Sequence, residues 1–108
     1  MDQISPGRRL RVLIFSYEDN PALEPLRHFL LSKGCPIRIT FAVEEVIDIA
    51  RKPDMNYGMV IILSPVSDKI FKELKSDKFV LLEYGPGRCS IRDLFKKIDI
   101  ETKNYGKY

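Results

Sequence analysis

Apolar residues fall along this chain in two alternating rhythms: compact runs that suit buried strands, and spaced repeats that suit amphipathic helices. Leu10 to Ser16 (LRVLIFS) is a short apolar run ending in polar residues, the pattern of a strand covered on both faces of a sheet. Asn20-Pro21 signals a helix start, with Asn20 as cap and Pro21 in the first turn. Leu23, Leu26, Phe29 and Leu30 then recur at helical spacing until Lys33-Gly34 closes that helix. Ile37 to Phe41 alternates apolar and polar positions with period two, which predicts a peripheral strand that has one exposed face or lies at an edge. Val43, Val46, Ile47, Ile49 and Ala50 fit one face of a second helix. Glu44, Glu45 and Asp48 lie near its positive end, Arg51-Lys52 suit its negative end, and Pro53 stops it.

Gly58 to Leu63 is the most hydrophobic segment and belongs at the sheet centre. Ser64-Pro65 ends it, Ser67 or Asp68 caps a short helix, and Ile70, Phe71 and Leu74 supply that helix with a packing face. Lys78 to Tyr84 reads as a fourth strand, Gly85-Pro86-Gly87 as a sharp turn, and Ser90 to Ile98 as an amphipathic last helix. The alternation predicts an α/β fold: a small, open, mostly parallel sheet of about four to five strands flanked by helices, flavodoxin-like in layout, with strands one and three side by side. One domain over residues 10–98 is expected, after a leader at 1–9 and before a polar, fraying tail at 99–108. In such a sheet the loops after the strands share one edge, so Tyr17 to Asn20, Ala42 to Glu44, Ser64 to Ser67 and Gly85 to Arg88 should gather where a site normally sits.

Composition agrees with a self-sufficient core: 44% of the 108 residues are hydrophobic and 31% charged. No apolar stretch approaches the roughly 20 residues of a membrane span, and residues 1–9 have no signal-peptide core behind them, so a cytoplasmic protein is expected. Cys35 and Cys89 are distant, outside any Cys-x-x-Cys pair, and read as reduced. His28 is the single histidine, too little for a zinc site, and no metal or cofactor is expected. The net charge of +3 is modest, but Arg8, Arg9 and Arg11 cluster early, and Arg88, Arg92, Lys96, Lys97, Lys103 and Lys107 dominate the end against Asp93, Asp99 and Glu101. Such clusters suit an acidic partner surface or phosphates; solvated strand and helix faces are the plainer reading.

Catalytic patterns are weak. Gly85-Pro86-Gly87-Arg88 lacks phosphate-loop spacing, Ser64 has no nucleophile elbow, and nothing local joins a cysteine to His28. Nucleic acid is disfavoured, because Lys78-Phe79 and Arg38 to Thr40 do not interleave aromatic and basic residues as a sheet-surface reader would. Glu18-Asp19 after strand one invites comparison with receiver domains of two-component signalling, but strand three ends in Leu63-Ser64-Pro65, where a receiver has its phosphoacceptor aspartate. A degenerate receiver-like regulatory domain without phosphotransfer is therefore a second reading.

Three segments, in order, resemble the SEFIR and TIR superfamily of signalling domains. They are Val12 to Tyr17 followed by Glu18-Asp19, Leu26 to Gly34 leading into strand two, and Val60 to Pro65 followed by Phe71 to Leu74. The resemblance implies a TIR-like fold and a non-enzymatic adaptor role, in which the domain assembles with a like domain of a receptor or adaptor, or with itself. The expected contact surface combines Tyr17, Glu18, Asp19 and Asn20 with the second helix's Glu44, Glu45 and Asp48, and with the basic Arg88, Arg92, Lys96 and Lys97. Acidic and basic faces are complementary, so head-to-tail self-association is expected. Some TIR domains cleave NAD with a glutamate on the helix after the Ser-Pro turn. Glu73 matches that position, yet the neighbouring tryptophan is missing from a chain without tryptophan, which leaves NAD cleavage as a third reading. Otherwise Glu73 is an exposed helix residue, expected to pair with Lys69 or the neighbours of Lys72.

Overall fold

A computed structural model describes residues 10–52, 56–76, 78–85 and 89–104. Each apolar run forms a strand: β1 Val12–Phe15, β2 Ile37–Thr40, β3 Met59–Ile62 and β4 Val80–Glu83. Helices α1 Leu23–Ser32, α2 Val43–Arg51, α3 Asp68–Leu74 and α4 Ile91–Asn104 alternate with them. The strands form one four-stranded sheet in the order β2-β1-β3-β4. All three ladders are parallel, with Val12 opposite both Ile37 and Met59, and Met59 opposite Val80. The period-two strand lies at an edge, as its alternation predicts, although of its polar positions only Arg38 is exposed and Thr40 is buried, and the fully buried β1 and β3 hold the centre.

Successive strand side chains point to opposite sheet faces, so each continuous apolar run feeds two cores. Val12, Ile14, Met59, Ile61 and Leu82 join Leu26 and Leu30 of α1 and Leu94 and Ile98 of α4. Leu13, Phe15, Val60 and Ile62 join Val46 and Ile49 of α2 and Leu74 of α3. The sheet is thus the middle layer, with α1 and α4 on one side and α2 and α3 on the other.

Helix ends differ in places from their sequence signals. α1 starts at Leu23, with Ala22 at the cap, so Pro21 precedes the helix. The Asn20 side chain instead accepts from the Ala22 N–H at 2.9 Å and forms the turn that leads into α1. At its other end Gly34, at φ +78°, permits a Schellman closure, in which the Cys35 N–H donates to Leu30 at 3.1 Å and the Gly34 N–H to Leu31 at 3.0 Å. Ser67 caps α3, accepting from the Ile70 N–H at 3.3 Å. Ser90 does the same for α4 through the Asp93 N–H at 3.1 Å. α4 continues past Ile98 to Asn104, where the sequence predicted a fraying tail from 99, and Asp99 in this extension bonds to Lys33 of α1 and, one turn on, to Lys103 at 3.0 Å.

Leu26 is fully buried beneath α1, whereas Ile100 on α4 is 55% exposed. Leu26→Ala should therefore cost about 2–5 kcal/mol in urea unfolding, and Ile100→Ala no more than about 0.5 kcal/mol.

Candidate functional site

Parallel strands bring the loops after β1, β2 and β3 to one edge of the sheet, where they enclose a groove of about 430 Å³. Tyr17, Phe41, Val43, Glu44, Val66 and Ile70 line it. Tyr17 and Phe41 are 53% and 49% exposed, large apolar surface that the core does not use. Phe15, buried under α2 and α3, steadies the Tyr17 ring edge-on at 5.5 Å.

A buried hydroxyl holds this edge together. Ser64, at the end of β3, accepts from the Tyr17 N–H at 2.9 Å and from the Asn20 side-chain amide at 3.0 Å. The same amide donates to the Leu63 carbonyl at 3.1 Å, and the Ser16 hydroxyl donates to the Tyr17 carbonyl at 2.9 Å. Asn20, expected at a contact surface, is thus engaged inward, and its loop-holding bonds leave Tyr17, Glu18 and Asp19 pointing outward, all exposed. The end of β3, where a receiver carries its phosphoacceptor, holds this bonded serine.

On α2, Glu44, Glu45 and Asp48 are exposed. Glu45 approaches Arg38 of β2 at 3.5 Å, while Glu18, Asp19, Glu44 and Asp48 have no ion-pair partner among the described residues. The basic residues lie elsewhere. Arg92, Lys96 and Lys97 are exposed on α4, across the sheet from α2, and no described carboxylate pairs with them. Arg88 lies outside the described residues.

Between α1 and α4 lies a second recess, of about 560 Å³, which the sequence reading did not single out. Phe29 and Phe95 stack in it, centroids 4.4 Å apart and planes within 2°. Lys33, Arg92 and Lys96 stand at its rim with Asp99. Hydrogen bonds from Lys33 and then Lys103 hold the Asp99 carboxyl below its ordinary range. Both phenylalanines sit at the margins of apolar stripes, the one sequence signal available; their stacking depends on how two distant helices pack.

The remaining candidates are separate from both sites. Glu73 occupies the last turn of α3 and pairs with Arg51 of α2 at 3.7 Å, so its partner is not Lys69 or a neighbour of Lys72. It lies at the far end of α3 from the groove, which Ser67 and Ile70 border. His28 is exposed beside Glu24 at 3.5 Å, and Cys35 and Cys89 are buried and free. Burial pushes the Cys35 thiol up, against the opposing effect of Lys33. Among the described residues no cluster of three or more His, Cys, Asp or Glu side chains could hold a metal ion, and no helix is long and apolar enough to cross a membrane. No protein-family model matches the chain, and neither curated proteins nor solved structures include a match.

Ser64→Ala strands the Tyr17 N–H and one Asn20 donor, and should cost about 1–3 kcal/mol in urea unfolding. Combined with Asn20→Ala it should cost less than the sum of the two single changes, since the two residues share a bond. Asp99 should add a small acid dependence. Its lowered folded-state pKa makes its contribution complete above the ordinary carboxylate pKa and lost as pH falls through the folded value. The melting temperature of wild type should therefore drop more than that of Asp99→Asn between about pH 5 and about pH 2, by a margin that solvent screening keeps small.

Proposed function

We propose that this chain is a non-enzymatic protein–protein interaction module of signalling, of SEFIR or TIR type, working in the cytoplasm by assembly with a like domain. The observation that carries the reading is the separation of charges that have no ion-pair partner among the described residues. Glu18, Asp19, Glu44 and Asp48 lie along the strand-end edge and α2, while Arg92, Lys96 and Lys97 lie on α4. The sheet and both cores stand between α2 and α4, so Glu44 and Asp48 cannot reach Arg92, Lys96 and Lys97 within one molecule. Between molecules they are complementary, and complementary faces on opposite sides of a domain favour a head-to-tail contact over a two-fold one. The exposed Tyr17 and Phe41 add apolar area to the acidic face, as contact surfaces commonly do. A partner domain of a receptor or adaptor carrying either face would be bound by the same means.

Light scattering coupled to size-exclusion chromatography tests the reading on wild type and on Glu44→Lys/Glu45→Lys. Wild type should assemble as concentration rises and dissociate as salt screens the contact, with most screening complete by a few hundred millimolar. The reversed variant should remain monomeric. A wild-type monomer throughout would remove the homotypic form of the proposal, and NAD turnover abolished by Glu73→Gln would overturn the non-enzymatic reading.

A further inference from the structure

The proposed self-association leaves open where one copy seats on the next. We infer that the Phe29–Phe95 recess between α1 and α4 receives the Phe41 corner of a second copy, with Glu44 of that corner meeting Arg92 and Lys96 at the recess rim; the inference rests on the head-to-tail reading above. The corner is an aromatic surface, Tyr17 and Phe41, edged by Glu44, with the exposed Glu18 and Asp19 next to Tyr17 in the chain. The recess is an aromatic surface edged by cations, Arg92 and Lys96. Lys33 is already committed to Asp99 and to the Phe29 ring at 5.4 Å, so it helps shape the recess, and Arg92 and Lys96 remain to meet an incoming acid.

Charge selects the occupant. Recess against recess would set Arg92 and Lys96 of one copy beside those of the other, and corner against corner would crowd carboxylates, both repulsive. Corner against recess alone joins opposite signs while covering the exposed Tyr17 and Phe41 and the half-buried Phe29 and Phe95. Every copy carries both halves at different places, the corner at the strand-end edge and the recess between α1 and α4, so the contact is heterologous, and assembly continues beyond a dimer unless the rotation closes a ring.

The test uses two variants at exposed positions, Phe41→Ala, which blunts the corner, and Arg92→Glu/Lys96→Glu, which reverses the rim. Circular dichroism and thermal melting should match wild type for both. Each alone should associate at least about tenfold more weakly than wild type, the scale of removing an anchoring side chain. Mixed in equal amounts, they should form a one-to-one dimer that grows no further, because the intact recess of the first accepts the intact corner of the second. Wild-type strength of association in Phe41→Ala, or a mixture that stays monomeric while wild type assembles, would overturn the inference and leave charge-driven assembly standing. A wild type that is monomeric at every concentration would overturn both.

Discussion

A parallel sheet of four strands tolerates water on neither face, because the crossovers that make its strands parallel also lay helices over both sides. The burial pattern of the strands and the placing of the loops follow from that constraint. β1 and β3 are apolar at every position because alternate residues serve different cores. The strand-end loops meet at one edge because all four strands point the same way.

At that edge the design is economical. Ser64 is buried at the tip of the central β3, and one oxygen ties it to the loop after β1 through both Tyr17 and Asn20. A buried hydroxyl oxygen that accepts two hydrogen bonds is costly to lose, which suits a positioning role. By holding the backbone of the β1 loop, it sets the Tyr17 ring and the two acids that follow where they face solvent beside Phe41 and Glu44.

The middle layer also acts as an insulator. Two cores and a sheet separate Glu44 and Asp48 of α2 from Arg92, Lys96 and Lys97 of α4, so these groups do not pair with each other, in contrast to Lys33 and Asp99 or Arg51 and Glu73, which meet across adjacent helices. The proposed assembly exploits this separation, and the aromatic recess between α1 and α4 gives the basic face an apolar floor that charge alone would lack.

The sequence by itself determined the elements, the α/β class, the peripheral position of β2 and the central one of β3, since each follows from local periodicity and from the number of faces a run must bury. It also determined that Tyr17 to Asn20, Ala42 to Glu44 and Ser64 to Ser67 would share an edge, because chain direction in a parallel sheet is a matter of topology. Only the tertiary structure decided that Asn20 turns inward to Ser64, that Glu73 meets Arg51 rather than a neighbour on its own helix, and that Phe29 stacks on Phe95. It also decided that α4 runs past Ile98 and that Asp99 there meets Lys33 and Lys103. The physical reason is range: periodicity reports which side of an element is apolar, whereas the partner a side chain finds depends on the packing of elements far apart in the chain, which no local pattern encodes.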